Sequence, residues 1–154
     1  MERIASFSVD HSILQPGLYR SRTDGGVVTY DLRFVRPNSG RLLTNAQLHS
    51  AEHLVATLLR NSRCRDAIIY FGPMGCRTGF YLVVFGEITS REILPLIRDL
   101  FDFVAGFEGE IPGAAPEACG NYLDQNLPAA QWWARRFLRE TLKNIDDAHL
   151  AYGA

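Results

Sequence analysis

Apolar residues recur at two different periods along this chain, and the changes of period mark out its elements. From Val27 to Val35 they alternate, with Tyr30, Leu32 and Phe34 on one side and Asp31 and Arg33 on the other, which predicts a strand with one buried face. Two shorter runs, Ala67 to Phe71 and Phe80 to Phe85, predict further strands joined by a glycine-rich turn. Between the first and second runs, Leu48, Ala51, Leu54, Val55, Leu58 and Leu59 recur at helical spacing and form a broad stripe for burial. Thr44 followed three residues later by Gln47 is a capping box that satisfies free amide donors at this helix's start, and the helix is expected to run to about Asn61. A second helix is expected from Thr89, which forms a capping box with Glu92, to just before Gly106, with Pro95 as a candidate kink. A third opens near Pro128 and runs through Trp132, Trp133, Phe137, Leu138 and Leu142 toward Asn144. Its aromatic residues are read as core or as packing between copies of the chain. Strands and helices are grouped rather than strictly alternating, so the pattern predicts a single α+β domain over residues 1–154, a small and mainly antiparallel sheet packed against helices.

Composition narrows the class further. A chain of 154 residues, 47% of them hydrophobic, can build its own core without disulfide staples. No apolar run approaches the roughly 20 residues that span a bilayer, and the start Met-Glu-Arg-Ile-Ala-Ser lacks a basic segment followed by an apolar one. A cytoplasmic protein is expected. The formal net charge of -1, with no run of lysine or arginine, leaves no footprint for nucleic acid or an anionic membrane, so a small-molecule substrate is expected. Three cysteines, Cys64, Cys76 and Cys119, are an odd and widely spaced set, which argues for reduced thiols rather than a disulfide framework.

Chemistry enters with His49-Ser50-Ala51-Glu52-His53. At about 100° per residue, His49, Glu52 and His53 share one side of the helix, opposite the apolar stripe. Two neutral imidazoles four residues apart can grip one divalent ion, and a glutamate near them can move protons without being a ligand. The order H-x-x-E-H reverses the commoner H-E-x-x-H, and the bland reading is two exposed histidines on a solvated helix face. The second segment, Gly72-Pro73-Met74-Gly75-Cys76-Arg77-Thr78-Gly79, puts a thiol at a bend, where Arg77 favours a thiolate if its side chain turns toward the sulfur. It lacks the Gly-Lys-Ser/Thr ending of a phosphate loop, and its bland reading is a small buried cysteine. Third, Cys119-Gly120 follows a loop-rich stretch from Gly106 to Pro116 and can supply a third ligand. Two histidines and one cysteine leave a tetrahedral ion open to water or substrate, as catalytic sites do. His149 is read as a surface residue, and Cys64 has no assigned chemistry.

Taken in order along the chain, these segments resemble one family, S-ribosylhomocysteine lyase, which makes the precursor of the autoinducer-2 quorum-sensing signal. The resemblance is carried by Ser6-Phe7-Ser8-Val9-Asp10-His11, Asp31-Leu32-Arg33-Phe34 with Pro37-Asn38, the His49 to His53 motif, Pro73-Met74-Gly75-Cys76-Arg77-Thr78-Gly79-Phe80-Tyr81 and Cys119-Gly120. It implies an α+β homodimer with active sites at the subunit interface and a metal held by His49, His53 and Cys119. Fe(II) is the ion it favours, with Zn(II) or Co(II) able to substitute. It further implies Cys76 and Glu52 as the acid/base pair, and Ser6, His11 and Arg33 as substrate-pocket residues, some contributed by the partner subunit. The reaction implied is cleavage of the thioether of S-ribosylhomocysteine to homocysteine and 4,5-dihydroxy-2,3-pentanedione. Three positions depart from the family's pattern: Tyr70-Phe71-Gly72 where members commonly read Asp-x-Ser, Val35 at a position often filled by cysteine, and Asp124-Gln125-Asn126 in a stretch that frequently carries histidine. Two other readings stand beside this one. An inverted-motif zinc metallopeptidase would use Glu52 to activate water and take Glu92, Glu108 or Glu117 as third ligand. A non-catalytic, metal-stabilised dimeric binding module would close its ion with four ligands.

Overall fold

In the computed structural model, which describes residue 2 and residues 4–152, the alternating run becomes a strand at Val27–Arg33, but a strand at Gly17–Asp24 precedes it. Residues 1, 3, 153 and 154 of the expected domain lie outside the described residues. The first strand, β1, has little apolar alternation beyond Tyr19, and its burial fades through Arg22, Thr23 and Asp24. It pairs antiparallel with β2 (Val27–Arg33), Asp24 opposite Val27. The two residues between, Gly25 and Gly26, have φ of 55° and 84°. Positive φ at both central positions suits the twist of a two-residue hairpin, and glycine reaches it without steric cost.

The remaining elements follow the predicted order. Helix α1 (Asn45–Arg60) leads to β3 (Ile68–Pro73) and β4 (Gly79–Phe85), then to α2 (Ser90–Gly106) and α3 (Leu127–Glu140). The strands form one antiparallel sheet in the order β1-β2-β4-β3. Both capping boxes are present, Thr44 with Gln47 and Thr89 with Glu92. Helix α2 runs past Pro95 without breaking, because Ile93, Leu94, Leu96, Ile97, Leu100, Phe101 and Val104 are all buried along it. Helix α3 is shorter than the pattern predicts. The helix ends at Glu140, with Thr141 as its cap, and the chain makes a separate short turn, Leu142–Asn144. That turn buries Leu142, whose carbonyl accepts a hydrogen bond from Arg98 Nε at 2.8 Å.

All three helices cover one face of the sheet. Leu18, Val28, Tyr30, Leu32, Phe80, Leu82 and Val84 meet the apolar sides of α1, α2 and α3 there. Phe34 is the junction, stacked on Phe137 with ring centroids 4.0 Å apart, edge-on to Phe101 at 5.3 Å and tilted against Phe80 at 5.1 Å. Trp133 is buried, whereas Trp132 is 49% exposed. No helix among the described residues is long and apolar enough to cross a membrane.

The other face of the sheet carries Tyr19, Asp31, Arg33, Tyr81 and Val83, and none of the three α-helices among the described residues packs on it. Alternation predicts that Asp31 and Arg33 face solvent, yet they are 0% and 2% exposed. The cover comes from afar. Arg20 N donates to Leu150 O at 3.2 Å, Ser90 Oγ donates to the same carbonyl at 3.0 Å, and Tyr152 stacks on Tyr19 with centroids 5.0 Å apart. A C-terminal segment thus seals what the strand pattern leaves open.

Because Phe137 closes the aromatic junction between sheet and helices, Phe137→Ala is expected to lower unfolding free energy by about 3–5 kcal/mol, read as a shifted midpoint in urea denaturation. A loss under about 1 kcal/mol would mean that the junction is not a stability centre.

Candidate active site

The two faces of α1 do different work. Leu48, Ala51, Leu54, Val55 and Leu59 are buried against the core, and His49, Glu52 and His53 remain partly exposed on the opposite side. The imidazoles of His49 and His53 stand with ring centroids 4.8 Å apart. Cys119 reaches them from the loop that follows α2, its Sγ 3.2 Å from His49 Nε2. That loop is turned by hydrogen bonds from Ala118 N and Cys119 N to Ala115 O, at 3.0 and 2.9 Å.

Ligand atoms of His49, His53 and Cys119 all lie within 4.8 Å of one another. The outer nitrogen of His53 is held as a metal-binding histidine requires, and that of His49 has a carboxylate nearby. His53 Nδ1 lies 2.7 Å from Pro112 O. A carbonyl can only accept, so Nδ1 carries the proton and Nε2 keeps its lone pair. His49 Nδ1 faces Asp124 Oδ2 at 3.7 Å. Gly113 allows the loop to approach at φ 71°, where an added Cβ would stand 3.3 Å from His53 Nδ1. Two imidazoles and a thiolate suit a borderline divalent ion such as Fe(II), Co(II) or Zn(II). Among the described residues no fourth histidine, cysteine or carboxylate joins the group. Glu92, Glu108 and Glu117 are outside it, so the third ligand of the peptidase reading is missing, and so is the closed four-ligand cage of the binding-module reading.

A second group forms elsewhere. Ser6, His11, Arg33, Cys76, Thr78 and Tyr81 line a cavity of about 650 Å³. Cys76 sits on the turn between β3 and β4, which is held by Met74 N to Gly79 O and Arg77 N to Met74 O, both 2.9 Å. Its thiol is exposed and lies 3.0 Å from Thr78 Oγ1. The guanidinium that reaches the sulfur belongs to Arg33, with Nη1 at 3.9 Å. Arg77, the neighbour that sequence proximity suggests, instead serves the turn through its φ of 59°. His11 Nδ1 is 2.9 Å from Val9 O, so Nδ1 is the donor and Nε2 the nitrogen that can accept. Neither the three ligand residues nor Glu52 lines this cavity. Within one chain the candidate residues therefore fall into two groups: His49, Glu52, His53 and Cys119, and Ser6, His11, Arg33 and Cys76.

Arg33 is fixed by Asp31, its neighbour two residues back on the same strand face. Nε donates to Oδ1 at 3.1 Å and Nη2 to Oδ2 at 2.5 Å, while Nη1 donates to Thr78 Oγ1 at 2.6 Å. Burial pushes the Asp31 carboxyl above its ordinary value, against the charge and hydrogen bonds of Arg33 and the phenol of Tyr152. Burial works against the charge on Arg33 too, but the Asp31 carboxylate outweighs it and the guanidinium is held more firmly protonated. Asp31 and Asp124 are the site residues that the sequence reading missed. The signal for Asp31 is opposite charges two apart inside an apolar strand, and for Asp124 a carboxylate five residues past the ligand cysteine.

Tyr70-Phe71-Gly72, the stretch that departs from the family's pattern, has an internal logic. A Cβ at residue 72 would stand 1.9 Å from the Tyr70 hydroxyl, so the phenol occupies the space that Gly72 leaves empty. Tyr70 lines a smaller cavity of about 340 Å³ together with Ser6 and Tyr81, and not the cavity of Cys76.

Comparison with known proteins agrees with this arrangement. A family model described as S-Ribosylhomocysteinase (LuxS) matches residues 4–148. The chain is 51% identical to the S-ribosylhomocysteine lyase of Clostridium acetobutylicum, with 99% of each chain covered. It is 46% identical to that of Finegoldia magna and 43% identical to that of Borreliella burgdorferi, again with 99% of each chain covered. With near-complete coverage and a two-histidine, one-cysteine group in place, the chain belongs to the S-ribosylhomocysteinase (LuxS) family.

Proposed function

We propose that this chain is a carbon–sulfur lyase that cleaves S-ribosylhomocysteine to homocysteine and 4,5-dihydroxy-2,3-pentanedione, the precursor of autoinducer-2. The observation that carries this reading is the open His49, His53 and Cys119 group with Glu52 beside it on the same helix face. An ion held by His49, His53 and Cys119 would act as a Lewis acid that makes carbon-bound protons next to a carbonyl removable. Fe(II) is the proposed native ion, with Zn(II) or Co(II) as substitutes.

The chemistry dictates what the remaining residues must do. The open-chain ribose has its aldehyde at C1 and its sulfur on C5, so sulfur cannot leave until the carbonyl has migrated to C3 and made the C4 proton acidic. Each migration takes a proton from one carbon and returns one to its neighbour, and elimination then removes the C4 proton as the C5–S bond breaks. Proton carriers must stand on hand for this. Cys76 is assigned to the first carbonyl shift, and Glu52 to the later shift and the elimination. Ser6, His11 and Arg33 are assigned to holding the substrate in the cavity beside Cys76.

A homodimer with active sites at the interface follows from the same reading. Glu52 and Cys76 belong to one proposed reaction, yet Glu52 does not line the cavity of Cys76. A second copy that brings its metal-ligand group to the cavity of the first would complete the set. The chain is further proposed to act as one domain in the cytoplasm, consistent with reduced cysteines and the lack of a membrane-crossing helix among the described residues.

Three measurements test this reading. Anaerobically purified, Fe(II)-loaded protein is expected to release free homocysteine thiol from S-ribosylhomocysteine, and Glu52→Ala carrying the same metal is expected to be slower by about 10²–10⁴-fold. Silence from metal-loaded wild type sinks the substrate assignment. Replacing Cys119 with serine should abolish stoichiometric metal in the purified protein, read by elemental analysis. Asp124→Ala should weaken retention of the ion by about 10-fold or more in chelator competition; retention equal to wild type would remove Asp124 from the site.

A further inference from the structure

Tyr152 lies beyond residues 4–148, the part that matches the family, and yet it enters the charged network behind Cys76. Its hydroxyl donates to Asp31 Oδ2 at 2.6 Å across 121 residues of sequence. The same oxygen accepts from Arg33 Nη2 at 2.5 Å, and Oδ1 accepts from Arg33 Nε at 3.1 Å. Three donors therefore converge on one carboxyl group, an arrangement that suits a carboxylate. On the far side of the guanidinium, Nη1 donates to Thr78 Oγ1 at 2.6 Å and lies 3.9 Å from Cys76 Sγ. With the Nε–Nη2 edge held by Asp31, Nη1 is the nitrogen left to reach toward Thr78 and the sulfur.

We propose that Tyr152 is a positioning residue for the thiol site: its hydroxyl, through Asp31, sets the guanidinium of Arg33 against Cys76. The proposal rests on the reading of Cys76 and Arg33 as partners in one site. The tail is built for the task. Leu150 is buried, its carbonyl is held by Arg20 N and Ser90 Oγ, and Ala151 bridges to Arg20. The Tyr152 ring then stacks on Tyr19, so the hydroxyl meets Asp31 as part of a fixed stack rather than a free chain end. Burial, and next the Asp31 charge, push the phenol's ionisation far above its ordinary value, so it remains a donor. When this donor is removed, Oδ2 keeps Arg33 alone. The guanidinium is then drawn toward Asp31 and away from Thr78 and the sulfur.

The test uses the full chain and reads the thiol directly. Iodoacetamide alkylation of Cys76 at neutral pH is followed by mass spectrometry of the peptide that contains it, which separates it from Cys64 and Cys119. Tyr152→Phe, which keeps the ring stack, should slow alkylation about fivefold, the size of one hydrogen bond's net worth. Tyr19→Phe removes a hydroxyl from the same stack, but that hydroxyl donates to Gln15 O, and the rate should not change. Adding Tyr152→Phe to Arg33→Lys should slow alkylation no further than Arg33→Lys alone, because both changes act through one guanidinium. A Tyr152→Phe rate equal to wild type overturns the proposal, and so does a full further slowing in the double variant. A wild type that shows this alkylation pattern and releases no homocysteine keeps the positioning role and refutes the lyase reading. Lyase activity with alkylation indifferent to Tyr152 does the reverse.

Discussion

The Asp31–Arg33 pair is the constraint around which the second face of the sheet is organised. Two opposite charges lie almost wholly out of water on a strand face away from the three α-helices. Desolvating such groups costs several kcal/mol per ion, and the pair is tolerable only when every remaining lone pair and proton finds a partner. That requirement accounts for much of what surrounds it. Thr78 takes the third guanidinium nitrogen, and Tyr152 completes the carboxylate. Gly79 leaves out a side chain whose first carbon would stand 2.1 Å from Leu32 O. The first two answer one electrostatic demand and the glycine answers a steric one, the close approach of β2 to β4 at the turn that carries Cys76.

Helix α1 solves a different problem with the same economy. Its apolar side belongs to the core, so its orientation is set by packing, and the polar side inherits that rigidity. His49 and His53 need no separate scaffold to hold their spacing. What the helix cannot supply is the third donor and the orientation of the ring nitrogens. Both come from the stretch after α2, where Pro112 O, Gly113, Cys119 and Asp124 converge. A rigid element sets two ligands and an irregular one adapts to them, so the metal group is precise without the loop being regular.

How much of this is legible from the residues alone depends on how far the partners lie apart. Both capping boxes and the H-x-x-E-H face are short-range patterns and read correctly, whereas Cys119, 70 residues from His49, is placed beside it by the resemblance and not by any local pattern. The β1–β2 hairpin is legible in principle from Asp24-Gly25-Gly26, a turn signal stronger than the weak alternation before it. The burial of Asp31 and Arg33 is not, because the strand pattern is right about their face and silent about a tail more than a hundred residues away. Arg33 supplants Arg77 beside Cys76 for the same reason: strand pairing, not sequence proximity, decides which guanidinium arrives. Pro112 is invisible in a different way, since it acts through a backbone carbonyl that any residue would offer.

Tyr70 and Gly72 carry a consequence for how such a chain changes over time. In this pose the phenol and a side chain at position 72 exclude each other, because the hydroxyl fills the volume a methyl group would need. A lineage moving between a side chain at 72 and tyrosine at 70 cannot treat the two sites as independent. Because Tyr70 is about half exposed, its ring can swing outward to admit a side chain at 72, so the coupling lies in where the ring rests and not in which residue changes first. What a change at one of the two positions alters at the other is the resting place of a phenol on the strand's surface.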